Sequence, residues 1–119
     1  MLFRVDPGSP VPLGDQIAAS VRGALADGSV GPGERLPAAR ALADSLGVNV
    51  HTVLRGYQRL RDEGLIELRR GRGAVVSADH SPARARLLDG VQGLVVEARS
   101  LGLSDEEVLS LVRVRLASG

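Results

Sequence analysis

Apolar residues recur at helical spacing in several stretches of the chain, and each stretch is bounded by its own start or stop signals. Leu13, Ile17, Val21, Ala24 and Leu25 mark one face of a helix from Leu13 to Ala26, with Gly28 ending it. Ala39, Leu42, Ala43 and Leu46 predict a second, short helix. Pro37 suits its first turn, because its fixed φ is helical and its missing N–H costs nothing there. Gly47 stops that helix by admitting a left-handed backbone. Asn49 is a good N-cap for a third helix, with its side-chain oxygen free to accept an orphan N–H. Val53, Tyr57 and Leu60 then fall on one stripe, which predicts the buried side of that helix. At about 100° per residue, His51, Arg55 and Gln58 lie opposite, flanked by Thr52 and Arg59. Two helices joined by a short glycine-containing turn, the second with a polar outer face, form the pattern of a helix-turn-helix.

Past Gly64 the period changes. Leu65-Ile66-Glu67-Leu68 alternates like a half-buried strand, and Ala74-Val75-Val76-Ser77 reads as its return. Between them, Arg69-Arg70-Gly71-Arg72-Gly73 is a turn with three cations and two glycines. A hairpin with a flexible cationic tip beside a helix-turn-helix is a wing, suited to a narrow minor groove or to phosphates. Upstream, Leu2-Phe3-Arg4-Val5 and the turn-rich Asp6 to Pro10 fit either an edge strand or a disordered arm.

A linker from Ala78 to Pro82 leads to a second helical region, with Ser81 as cap and Pro82 at the first helical position. Leu87, Leu88, Val91, Leu94, Val95 and Ala98 form a stripe too apolar to leave in water. Gly102 interrupts it, and Ser104-x-x-Glu107 is a capping box opening a last helix, whose apolar face is Val108, Leu111, Val112 and Leu116. Two short helices cannot bury two such stripes alone, so pairing with a second copy of the chain is expected. The fold class is therefore mainly α with a small β-hairpin. A winged helix-turn-helix domain spans 1–77, and a two-helix dimerisation tail spans 78–119. That tail leaves little room for an effector pocket of the usual ~300–1,000 Å³.

Composition narrows the function classes. The chain has 119 residues, no cysteine and a net charge of only +1, so neither disulfides nor thiolate metal sites are possible. The charge is unevenly placed. Between Arg35 and Val76 eight arginines face four acids, which concentrates positive field on the motif. The two histidines, His51 and His80, are isolated, and no nucleophile–base pair is visible, so no metal, cofactor or enzymatic activity is expected. No apolar run reaches membrane-spanning length and no signal peptide is evident, so a cytoplasmic protein without membrane association is expected.

The stretch from Leu36 to Ser77 resembles the GntR family of bacterial winged helix-turn-helix transcription regulators. Leu36-Pro37-x-x-Arg40-x-Leu42-Ala43, Leu46-Gly47-Val48-Asn49, Thr52-Val53, Gly64-Leu65-Ile66 and Arg70-Gly71-x-Gly73 carry the likeness. Asn49-x-x-Thr52-Val53-x-Arg55-x-Tyr57-x-x-Leu60 is similar to the small YtrA-like subfamily, and Pro12 and Gln16-Ile17 extend the match upstream. The resemblance implies a sequence-specific, double-stranded DNA-binding regulator, a repressor acting as a homodimer on a palindromic operator. It implies dimerisation through the short helical tail.

The same likeness makes Arg40 a phosphate or base contact and Thr52 a phosphate contact, with a surface ion pair to Asp44 as the other reading of Arg40. The residue pattern adds His51 as a base or phosphate contact, Arg55 as a contact to a base edge or a phosphate, Asn49 as a cap that can also reach DNA, and Val50 as a contact to a thymine methyl. Arg70, Gly71 and Arg72 supply the wing. Arg59 is open between DNA and an ion pair with Glu63. Leu87, Leu88, Val91, Leu94, Val95, Val108, Leu111 and Val112 are the expected dimerisation residues. Gly14 departs from the family pattern, which usually carries an aromatic there, and is expected to loosen the start of the first helix. A nonspecific architectural DNA binder, or a winged helix used to bind protein, are the competing readings.

Overall fold

The computed structural model describes residues 3–119. Five helices and one hairpin follow in order: α1 (Leu13–Asp27), α2 (Ala39–Leu46), α3 (Val50–Asp62), β1 (Ile66–Arg69), β2 (Gly73–Val76), α4 (Pro82–Ser100) and α5 (Asp105–Ala117). The chain divides into two units that meet between Asp89 and Gly90, inside α4. The fold is a winged helix-turn-helix followed by helices, mostly α with a two-stranded antiparallel sheet.

The first unit is built on the crossing of α1 and α3. Ile17, Val21 and Leu25 of α1 meet Val53, Tyr57 and Leu60 of α3 in one core, joined by Leu42 and Ala43 of α2. The crossing is close because a glycine stands on each side. A Cβ on Gly56 would lie 2.7 Å from the Gly14 carbonyl oxygen and 3.2 Å from Ile17 Cγ2. Gly14, which departs from the family pattern, sits in the first turn of α1, where a Cβ would lie 3.2 Å from Thr52 O of α3.

Arg22 is wholly buried, a position its sequence neighbours do not mark. Its Nε and Nη2 donate to the two carboxylate oxygens of Glu63, both at 2.7 Å. Glu63 is the C-cap residue of α3, so this fork ties the middle of α1 to the end of α3. The Arg59–Glu63 pair, one of the two readings left open for Arg59, does not form. Arg59 turns instead to Asp15 of α1, with Nε 2.9 Å from Oδ1.

Pro37 lies outside α2, whose N-cap is Ala38. The Pro37 carbonyl accepts a 2.7 Å hydrogen bond from the Tyr57 hydroxyl, and Leu36 N donates to Ala74 O at 2.8 Å. The segment is thus held extended against the wing, and the helix starts two residues later. An isolated bridge Arg35↔Val75, with Val76 N donating to Glu34 O, gives β2 a partner on its second edge. Ala74, Val75, Val76 and Ser77 are consequently all buried. In β1 the alternation fails: Ile66 is buried but Leu68, on the same side, is 39% exposed because it reaches past the core. The register pairs Ile66 with Val76 and Arg69 with Gly73.

The stretch before α1 is neither strand nor free arm. Gln16 Nε2 donates to Asp6 O and Val11 O, its Oε1 accepts from Asp6 N, and Phe3 and Val5 pack on the core. The expectation for Leu2 lies outside the described residues. At the other end, the first turns of α4 belong to this unit: Ala85 is buried and Leu88 packs against the core. Leu88 is thus engaged within its own chain, unlike the exposed Leu87, Val91 and Leu94 of the stripe assigned to dimerisation.

In the second unit Gly102 turns the chain with φ 77°, and Ser104 and Glu107 form the expected capping box, at 3.2 and 3.0 Å. Ala98 is buried, Val95 and Val108 are half-buried, and Val91, Leu94, Leu111 and Val112 are exposed.

Tyr57 offers a test of this packing. Burial pushes its hydroxyl well above the usual phenol range. The unfolded chain ionises it near its ordinary value of about 10, so the folded state keeps the proton longer. Its contribution is complete below about pH 10 and is lost as pH rises beyond that value. The chain has neither lysine nor cysteine, so few other groups titrate in that window. Denaturant midpoints should fall between about pH 9 and pH 11 in the native chain. They should change far less in Tyr57→Phe, in which the missing hydrogen bond costs about 0.5–1.5 kcal/mol.

Candidate nucleic-acid interface

The second helix of the pair, α3, presents the polar face. Asn49 caps it: its Oδ1 accepts from His51 N at 2.8 Å, and its carbonyl accepts from Thr52 N at 3.0 Å. Capping fixes where the helix begins, and hence which residues lie on its outer face. His51, Arg55 and Gln58 are exposed there, as their spacing predicts. Thirteen residues make a rod of about 20 Å, so its first two turns can enter a groove about 12 Å wide while the rest stays outside. Asp62, exposed at the far end, lies 3.3 Å from Arg61.

Two expected contacts are placed differently. Thr52 is buried, only 8% exposed, which limits its reach outward. Val50 is half-buried and packs against the core, which limits its reach toward a base. Asn49 is exposed, but its side-chain oxygen is occupied by the cap.

The wing stands beside α3. Gly71 and Gly73 adopt φ of 79° and 72°, a left-handed backbone that glycine reaches without strain, and Arg72 N donates to Arg69 O at 3.1 Å to close the turn. Arg35 Nε donates to Arg72 O at 3.0 Å and braces the tip from below. Between wing and helix runs a groove of about 410 Å³ whose floor includes Pro37, Leu54 and Leu68, with Arg35, Arg70 and Arg72 on its walls. Leu54 and Leu68 are exposed apolar side chains, and the hairpin's placement brings them into one groove with those arginines.

Ion pairing sorts the arginines of this region. Arg22, Arg59, Arg61 and Arg69 are paired with Glu63, Asp15, Asp62 and Glu67. Arg40, Arg55, Arg70 and Arg72 are exposed and have no acidic partner among the described residues; in particular, Arg40 makes no ion pair with Asp44. Arg35, also exposed and without an acidic partner, joins them, so the unneutralised cations of this region sit before and on α2, on the outer face of α3 and at the wing tip. Forked, permanently charged donors in that arrangement match phosphates and guanine edges. No helix of the described residues is long and apolar enough to cross a membrane.

Comparison with known proteins agrees with this geometry. Residues 13–76 match the family of bacterial regulatory proteins, gntR family. The chain is similar to the HTH-type transcriptional repressor YtrA of Bacillus subtilis, 33% identical over 96 residues that cover 81% of this chain and 72% of that protein. It is also similar to the HTH-type transcriptional regulator Rv1152 of Mycobacterium tuberculosis, 35% identical over 107 residues, covering 90% and 88% of the two chains. Among solved structures, YtrA from Sulfolobus acidocaldarius, a GntR-family transcription factor, superposes with a TM-score of 0.62 at 35% identity, over 74% of this chain and 93% of that one.

Proposed function

The chain belongs to the gntR family of bacterial regulatory proteins and is a transcriptional regulator with a winged helix-turn-helix DNA-binding domain, and from that premise we propose that it is a repressor acting as a homodimer on a palindromic operator. The N-terminal turns of α3 enter the major groove, where Arg55 and His51 read base edges. Arg70 and Arg72 on either side of Gly71 hold the flanking backbone or the adjacent minor groove. Arg40 contacts a phosphate. The two-fold axis comes from the tail, through Leu87, Val91, Leu94, Val95, Val108, Leu111 and Val112. Repression follows from occupancy of a promoter site, in keeping with the name of the Bacillus subtilis relative.

The carrying observation is the set of arginines without an acidic partner, Arg55 on the helix face and Arg35, Arg40, Arg70 and Arg72 around it, while Arg22, Arg59, Arg61 and Arg69 are paired with carboxylates. A protein-binding module has no need of that sorting. A nonspecific architectural binder would need the wing but not a capped, charged reading face.

Two double variants separate affinity from specificity. Cations on phosphate release counterions and carry no sequence information. Arg70→Ala with Arg72→Ala should weaken operator and random duplex by similar factors and lower the salt slope by roughly 0.9 for each phosphate no longer neutralised. His51→Ala with Arg55→Ala should instead narrow the gap between operator and random DNA, since a good bidentate base contact discriminates by about 1–3 kcal/mol. Binding titrations at several salt concentrations decide it. If the wing pair costs operator binding alone while the helix pair costs both equally, the roles are reversed.

A further inference from the structure

Before α4, two large apolar side chains stay exposed among the described residues, Leu54 and Leu68. Both line the groove of about 410 Å³ between α3 and the wing, so the exposure is gathered in one place. On α3, Leu54 follows His51 by three residues, which sets it about 60° round the helix from that side chain. Arg55 lies about 40° to the other side. It lines the flank toward α1 with Leu13 and Gly14, whereas Leu54 lines the flank toward the wing. The outer face is thus divided, with hydrogen-bonding groups at His51, Arg55 and Gln58 and one exposed apolar group at Leu54.

The groove is an apolar seat inside a cationic frame. Pro37 and Tyr57 line it together with Leu54 and Leu68, and the Tyr57 hydroxyl is already engaged by the Pro37 carbonyl. Arg69 is paired with Glu67, but Arg35, Arg70 and Arg72 at the rim have no acidic partner among the described residues. The ligand that fits is a polyanion carrying a small apolar group. In the major groove of DNA every base pair offers hydrogen-bond donors or acceptors, and the apolar exception is a methyl group on C5 of a pyrimidine. Leucine has no atom that can read the rest.

We propose that Leu54 selects a C5-methylated pyrimidine, thymine or 5-methylcytosine, in each operator half-site by packing on the methyl group at the mouth of this groove. The inference rests on the DNA-binding reading and deepens it. It adds a residue outside the expected contacts and names the chemical group that this residue selects. His51 and Arg55 serve hydrogen-bonding positions, and Leu54 serves the methyl. Contact removes both the methyl and the leucine surface from water, so the gain is that of burying about one methyl group. Such a contact releases no counterion, and its share of the affinity is therefore independent of salt.

The test uses the full chain and an operator selected from random duplexes. Replacing each thymine of a half-site in turn by deoxyuridine keeps every hydrogen-bonding atom and removes only the methyl. At one position the native chain should lose about three- to fivefold in affinity for each half-site altered, by the same factor at low and high salt. Leu54→Ala, a change at an exposed position that favours the helix, should bind the thymine and uracil duplexes equally there. Leu54→Met keeps an apolar side chain of similar volume and should keep the difference. Cytosine and 5-methylcytosine opposite guanine at the same position distinguish the two sources of the methyl. Thymine as the native ligand binds more tightly than 5-methylcytosine, and 5-methylcytosine as the native ligand binds more tightly than thymine. Affinity unchanged by removal or addition of every C5 methyl, or a difference that persists in Leu54→Ala, overturns the methyl contact while leaving DNA binding intact. Failure of the native chain to bind any duplex overturns the DNA-binding reading instead.

Discussion

Leu87→Glu together with Leu94→Glu is expected to give a folded monomer whose affinity for a two-half-site operator falls by about 10²–10⁴-fold. Both side chains are exposed, 65% and 41%, so charges there disturb neither unit's own core. Their apolar area is useful only against a second surface. Burial of such area contributes roughly 25 cal/mol per Å², and a carboxylate placed in it must be desolvated without a partner. The size of the DNA effect comes from linkage of two half-sites. Once one reading head is bound, a tethered partner meets the second half-site at an effective concentration in the millimolar range, and a monomer loses that advantage entirely. Light scattering should report the change of mass, circular dichroism an unchanged helix content, and titration an unchanged affinity for a single half-site. A variant that remains dimeric would place the interface elsewhere than on this stripe. Leu88 is left out of the pair because it packs against the first unit's core.

Arg22→Ala is expected to be the most destabilising single change in the first unit, by about 3–5 kcal/mol. Arg22 is wholly buried and its fork spans both oxygens of Glu63. Removing it leaves a carboxylate at the C-terminal end of α3, where the helix dipole also disfavours negative charge. It also opens a cavity between the two helices that form the crossing. Against a total stability of about 5–15 kcal/mol, that loss is a large fraction, and the melting temperature should fall by about 10 °C or more. Arg22→Met with Glu63→Gln should recover most of the loss, because replacing both members of a buried pair removes the unpaired charge. A single variant that melts within a degree or two of the native chain, or a double variant no better than the single, would show that the pair does not hold the crossing.

The tail stripe is visible in the sequence, whereas the Arg22–Glu63 fork is not, and the difference is one of range. Most of the helix stops, caps and apolar stripes, which act within about one helical turn, were legible. Gly47 and Gly64 end their helices with φ of 69° and 79°. Asn49 and Ser104 cap theirs through the side-chain bonds their positions predict. The stripe Val53, Tyr57, Leu60 is the buried one, and the glycines of the wing turn occupy its left-handed positions. His51, Arg55, Arg70 and Arg72 are exposed, as periodicity and turn chemistry require. The family resemblance came from the same local motifs.

What the tertiary structure alone decided involves partners far apart in the chain. Arg22 lies at the edge of the apolar arc of α1, where an arginine by itself reads as solvated; Glu63, 41 residues on, makes it a core residue. Arg59 pairs with Asp15 of another helix rather than with Glu63 next to its own. Pro37 has the chemistry to open α2, but the Tyr57 hydroxyl and the strand-like pairing of Leu36 hold it extended. Gly14 and Gly56 each look unfavourable in a helix, and only their approach across the α1–α3 crossing gives both a reason. Thr52 flanks the polar face by its spacing, yet it is buried. The physical cause is common to all of them. Periodicity and capping energies are set by a residue's own few neighbours, so sequence spacing records them. A long-range ion pair or a backbone contact depends on the relative placement of whole helices, which hydrophobic burial fixes only after those helices have met.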